Sequence, residues 1–186
     1  MKTIVLILIL FSMVFTGCST RFVKKHNYYS NKSNNYNSSE SNSDLYYRIA
    51  SKYNINYKTL HAICFTESSE EPFVIHVNGG YYSGSHRFSS ASQSLNYINR
   101  YLGDSNFDIG FCQINNWWIN RLNISHSQLL TKSFNIDLAA SIYRDNLKRC
   151  NNDVNCALSL YNTGKKWSSI GKKYSKRVLL NRSKLY

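Results

Sequence analysis

The sequence predicts a mainly α-helical domain with one small β-hairpin element. Two observations carry this reading. Apolar residues recur at helical spacing in several stretches beyond residue 44, and only one stretch, "PFVIHVNGGYY", reads as a strand running into a turn. Leu45, Ile49, Ala50 and Tyr53 define a first helix over 44–53 with Ser43 as its cap, and "NIN" ends it. A second helix starts near Tyr57. Its Leu60, Ile63, Cys64 and Glu67 fall at i, i+3, i+4 and i+7, so Glu67 shares the apolar face. The β-like run ends in Asn-Gly-Gly, a hairpin signal. "SSASQSLNYINRYLG" predicts a short helix ending at Gly103, and "NFDIGFCQINNWWINRL" passes from a turn into an apolar helix. "NIDLAASIYRDNLKRC" is amphipathic, with Ile136, Ala139, Ala140, Tyr143 and Leu147 on one stripe. "VNCALSLYNTGK" is a short helix stopped by Gly164, and the basic "KKYSKRVLLNRSKLY" closes the chain as a last helix. No internal repeat is present.

A chain of 186 residues suits one compact domain with extensions. The formal charge of +13 allows nucleic acid, a membrane surface or a polyanionic polymer as partner. No nucleic-acid-binding signature accompanies the charge, so nucleic acid is not expected.

"MKTIVLILILFSMVFTGCST" has a Lys near its start, an apolar run from Ile4 to Phe15 and then small residues, as a secretory signal does. Its end, Phe15-Thr16-Gly17-Cys18, resembles the bacterial lipobox. That resemblance implies a signal peptide over 1–17, acylation of Cys18 and a lipid bilayer as anchor for an exported, periplasmic lipoprotein. An ordinary signal peptide, or an uncleaved anchor with Cys18 incidental, is the alternative. Residues 18–43, dominated beyond Cys18 by Asn and Ser, read as a flexible tether, which leaves 44–186 for the folded domain. With Cys18 acylated, the other four cysteines, Cys64, Cys112, Cys150 and Cys156, form an even set that suits an oxidising compartment. Three complete pairings are open to them. Cys150 and Cys156 flank the polar hinge "NNDVN", which can bring them within disulfide reach.

Of the ten acidic residues, three crowd into "HAICFTESSEEPF": Glu67, Glu70 and Glu71. Glu67 lies on a buried face near a helix C-terminus, and both conditions disfavour its charge. Glu70 and Glu71 lie past the helix and are expected to be solvated. Their negative charge would push Glu67 further toward its neutral form. A carboxylic acid kept protonated near neutrality is what a general acid needs.

"AICFTESS", "FDIGFCQIN", "NIDLAASIY", "LYNTG" and "GKKYSKRVL" occur in this order. Together they resemble the lytic transglycosylases related to goose-type lysozyme, and in particular the small members that accompany secretion and conjugation machines. The resemblance spans roughly residues 44–180. It implies a lysozyme-like fold in which Glu67 is the catalytic acid and Ser68 its neighbour. Gly110, Gln113, Ile114 and Asn115 would line the sugar groove. Tyr161 would hydrogen-bond the catalytic carboxyl beside Asn162, with Gly164 capping that turn. Two departures stand out: Phe111-Cys112 replaces the family's Leu-Met, and about forty residues separate Glu67 from Asp108.

The implied reaction is cleavage of peptidoglycan between N-acetylmuramic acid and N-acetylglucosamine, with closure of an anhydro ring. It needs no metal or organic cofactor, and the scattered His61, His76, His86 and His126 lack ligand spacing. Most glycosidases use two carboxylates. Here Asp104, Asp108, Glu70 and Glu71 are the only candidates for a second, and Asp108 reads as an organiser of backbone. Components of a secretion or conjugation machine are the implied protein partners. If the groove forms as in the family, Cys64 and Cys112 face each other across it. The alternatives are a hydrolytic muramidase of the same fold, a non-catalytic peptidoglycan-binding component and, more remotely, an adhesion lipoprotein.

Overall fold

The computed structural model describes residues 41–186. The expected signal segment, Cys18 and most of the tether lie outside the described residues. Eight α-helices and a four-stranded antiparallel sheet are present among the described residues, so the domain is mainly α.

Helix α1 (Asn42–Tyr53) starts inside the stretch read as tether. Its cap is Ser41, not Ser43, because the Ser41 hydroxyl accepts the Asp44 N–H. Asn54 in the left-handed region ends it. Helix α2 (Tyr57–Ser68) is capped by Asn56 and buries Leu60, Ala62, Ile63 and Cys64.

Strands β1 (Val74–Val77) and β2 (Gly84–Arg87) form the expected hairpin, joined by the longer loop 78–83 rather than a two-residue turn. Helix α3 (Ala91–Tyr97) runs into a π-helical turn at Ile98–Leu102 and stops at Gly103. Strands β3 (Phe107–Ile109) and β4 (Ile114–Asn115) were read as turn. They are too short to show alternation in sequence; β3 is a strand through pairing with β1, and β4 through pairing with β3. The sheet order is β2-β1-β3-β4. Its register puts Ile75, Ile109 and Ile114 on a buried face, and Ser85, His76, Asp108 and Asn115 in one cross-strand row on the other.

Helices α4 (Trp117–Leu122) and α5 (His126–Leu129) lead to α6 (Lys132–Arg149). The expected stripe of α6 is buried, but so are Asn135, Asp137, Leu138, Ser141 and Asn146. This helix is therefore central rather than one-sided, and Asp137 is satisfied there by Lys52 and by the Tyr53 hydroxyl at 2.7 Å. Helix α7 (Val154–Thr163) ends at Gly164, with φ 66°. Helix α8 (Ser169–Leu185) packs on α7 and α2. Ala62, Ile63, Tyr143, Leu147, Leu158, Leu160, Tyr174 and Val178 form the core between these helices. The α7–α8 approach is set by Gly171, where any Cβ would lie 1.9 Å from Ser159 Oγ. Among the described residues, no helix is long and apolar enough to cross a membrane.

Candidate active site

The last turn of α2 carries Glu67, with Ser69 as the left-handed C-cap. Ser69 and Glu70 have φ of 57° and 65°, two successive non-glycine residues in a region such side chains avoid. Three ties hold this bend. Ser68 donates to the Phe111 carbonyl at 2.7 Å. Glu70 accepts from the Tyr46 hydroxyl at 3.1 Å and lies 3.3 Å from His61 Nε2, whose ring stacks on Tyr46. Cys64 is disulfide-bonded to Cys112. Glu70 is thus half-buried and partnered, not solvated as expected. The His61 contact, with help from Tyr46 and Lys132, holds its carboxyl below the ordinary range. Glu71 pairs with Arg87 at the surface.

The Glu67 side chain keeps some solvent access, yet protein atoms crowd it on nearly every side. Burial pushes its carboxyl up to about 7. The Tyr174 hydroxyl, from α8, donates to Glu67 Oε1 at 2.6 Å and pulls the other way. The negative charge of Asp108 adds to the rise, and Arg177, whose guanidinium sits 5.6 Å from the Tyr174 ring centroid, subtracts from it. The like-charge push therefore comes from Asp108 and not from Glu70 and Glu71.

Asp108 organises side chains rather than backbone. Its Oδ2 accepts from Asn78 at 2.7 Å and its Oδ1 from Asn115 at 2.9 Å, and both amides also bond Asn106 Oδ1. Burial raises the Asp108 carboxyl, opposed by these two amides and by His76.

The expected hydrogen bond from Tyr161 to Glu67 is not made. Tyr161 donates instead to the Cys112 carbonyl at 2.9 Å, and Tyr174 occupies the role. Tyr161 still lies near Glu67, because burial and then the Glu67 charge raise its hydroxyl.

The loop 110–113 is tied from several directions. Gly110 has φ 76°, and a Cβ there would come within 2.8 Å of both Asn135 Nδ2 and the Leu129 carbonyl. Buried Asn135 donates to the carbonyls of Ile109 and Leu129 and accepts the Cys112 N–H. Gln113 spends its amide N–H groups on the carbonyls of Gly110 and Val74. Ile114 is 2% exposed, so its side chain belongs to the core and not to a groove wall. Asn162 is exposed. The structure thus brings Glu67, Tyr161, Ser68 and the 110–115 segment together, and sets Asn162 at the surface. Cys150 is bonded to Cys156. Among the described residues, no three or more His, Cys, Asp or Glu side chains gather to hold a metal ion.

The model of the transglycosylase SLT domain matches residues 44–179. This chain belongs to the SLT family. Members of the family are lytic transglycosylases, and the domain implies peptidoglycan as substrate. No curated protein and no solved structure matches the chain. In this SLT domain, Tyr174, Asn135, Asn78 and Arg177 bear on the site; the quoted motifs contain all of these but Asn78, yet the resemblance gives none of them a role. A local signal existed for one: Gly171 and Ser175, small residues one turn apart and both buried, mark the tight face of α8 that carries Tyr174.

Proposed function

We propose that Glu67 cleaves the β-1,4 bond between N-acetylmuramic acid and N-acetylglucosamine without water, acting first as acid and then as base. The observation that carries this is a carboxyl at about 7 with a tyrosine hydroxyl on one oxygen. At such a value both protonation states are accessible near neutrality. The protonated carboxyl gives its proton to the glycosidic oxygen, and the N-acetylglucosamine end leaves with it. The muramic N-acetyl oxygen stabilises the positive centre at C1. The Glu67 carboxylate then takes the proton of the C6 hydroxyl, O6 closes on C1, and the acid is restored. Asp108 is the second carboxylate whose charge reaches Glu67, but each of its oxygens is already held by an asparagine amide. That arrangement supports a fixed anchor more than a base that positions water, and favours the anhydro product over hydrolysis.

The two disulfides suit an oxidising compartment and support export. On this reading residues 1–17 are removed, Cys18 carries lipid at the start of the tether, and the remainder works on the wall. The resemblance to specialised members supports local remodelling around a secretion or conjugation apparatus. Digestion of purified peptidoglycan with mass analysis of the products tests the chemistry. Anhydromuramic ends are expected, absent with Glu67→Gln; reducing ends would instead assign a muramidase, and no release a binding role.

A further inference from the structure

The α7–α8 corner confronts the site with charge of one sign. From Val154 to Tyr186 there are eight Lys and Arg and no Asp or Glu. Lys165, Lys173, Lys176 and Arg177 are exposed, and none of them forms an ion pair among the described residues. Of these cations, Arg177 is close enough for its charge to act on Glu67. Tyr174 touches the carboxyl, and Arg177 lies one turn further along the same helix against the Tyr174 ring. Ile170, one turn before Tyr174, is 67% exposed. Across the α7–α8 loop, Lys165 follows the Tyr161 turn, and Trp167 is half exposed with φ 57°. A bulky residue held left-handed at the surface is uncommon backbone geometry.

Unneutralised cations beside one another repel, and a ligand that supplies negative charge relieves the repulsion. The groups are spread along a helix edge and a loop, so they fit several separated carboxylates better than one compact anion. A muramic acid residue carries its peptide stem, rich in carboxylates, on the lactyl group next to the scissile bond. We propose that Lys165, Lys173 and Arg177 receive stem-peptide carboxylates, so that the enzyme selects strands that still carry stems. The proposal rests on Glu67 being the acid of a wall-cleaving site. It also gives Arg177 a second consequence. Free, its charge pulls the Glu67 proton off; covered by a substrate carboxylate, it no longer does, so a stem-bearing substrate favours the acid form.

The test compares intact peptidoglycan strands with the same strands stripped of stems by an amidase. Wild-type protein is expected to show a kcat/KM about tenfold higher on stem-bearing strands, expressed mainly in KM, and the preference shrinks as salt rises because exposed charges are screened. The variant Lys165→Gln/Lys173→Gln/Arg177→Gln is expected to bring the preference below about threefold, with Arg177→Lys retaining most of it. Co-sedimentation of the Glu67→Gln protein with the two strand types reads binding without turnover. Equal binding to both, or a preference untouched by salt and by the triple variant, overturns the proposal. Binding to phosphatidylglycerol vesicles without any stem preference also overturns it and makes the corner a membrane surface. If the wild type cleaves neither substrate, the catalytic reading fails while the sedimentation result still decides this one.

Discussion

Replacing Tyr174 by Phe removes one atom, the hydroxyl that donates to Glu67 at 2.6 Å, and keeps the ring that packs in the core and under Arg177. A hydrogen bond to a charged acceptor is worth about 1.5–3 kcal/mol and one to a neutral acceptor about 0.5–1.5 kcal/mol. The bond therefore favours the carboxylate over the acid by roughly 1–1.5 kcal/mol, which is about one pH unit at ~1.36 kcal/mol per unit. Its loss raises the Glu67 carboxyl above its present value of about 7. The step that needs the protonated acid then survives to higher pH, so the alkaline limb of kcat/KM moves up by about one pH unit. The step that needs the carboxylate suffers, so kcat at the acidic end falls by roughly tenfold. Initial rates of soluble muropeptide release over about pH 5–9 read both limbs. Tyr161→Phe is the control. It unpairs the Cys112 carbonyl and costs about 1–3 kcal/mol of stability, with the limbs in place. A profile that stays put in Tyr174→Phe and moves in Tyr161→Phe would return the role to Tyr161 and refute the argument.

The other expectations can be measured on the same protein. Glu67→Gln abolishes cleavage, and it stabilises the fold on the alkaline side. The native carboxyl is raised from 4.5 to about 7, so wild-type stability is fullest below about pH 4.5 and declines as pH rises through about 7. The variant's advantage is on the order of 3 kcal/mol at pH above about 7, seen as a higher Tm there and little gain near pH 4. The Cys64–Cys112 bond closes a longer loop, at a sequence separation of 48 against 6 for Cys150–Cys156. Replacing each pair by alanine costs about 4 and about 2 kcal/mol respectively on the chain-entropy account, and urea unfolding should rank them in that order. Gly110→Ala forces a Cβ to 2.8 Å from the Leu129 carbonyl at φ 76°; it should cost several kcal/mol and leave little soluble protein, whereas an ordinary melting curve would mean the loop can shift.

The sequence made legible whatever is set by local pattern. Glu67 was found because its spacing puts it on the apolar face of α2, and the Gly164 stop followed from the residue that tolerates the left-handed cap. What depends on distant packing was not legible. Tyr174 sits in a basic helix whose crossing over α2, and not its neighbours in sequence, delivers its hydroxyl to Glu67. Asn135 lies outside the apolar stripe of its helix, yet it is fully buried and holds two groups of the β3–β4 region together with the Leu129 carbonyl of α5. Glu70 looked solvated because nothing within its own stretch foretells that Tyr46 arrives from α1. Strand β3 exists as a partner of β1 and β4 as a partner of β3, so no window of their own residues shows them.

The opposing influences on Glu67 follow from asking one carboxyl to do two jobs. Burial and Asp108 alone would hold it above its value of about 7, a better acid but a poorer recipient for a proton from the sugar. Tyr174 and Arg177 alone would leave it ionised, a base with nothing to donate. Set against each other they bring it to about 7, where either form is a small free-energy step from the other. Such a balance is sensitive to sub-ångström movement, because desolvation and a 2.6 Å hydrogen bond both fall off steeply. That accounts for the concentration of ties around the end of α2: a disulfide one turn before the carboxyl, a serine hydroxyl on the loop beside it, and a Tyr46–Glu70–His61 clamp on the strained bend beyond. Loosening any one of them should alter the pH profile before it unfolds the domain. Such a change distinguishes a tie that positions Glu67 from one that only stabilises the fold.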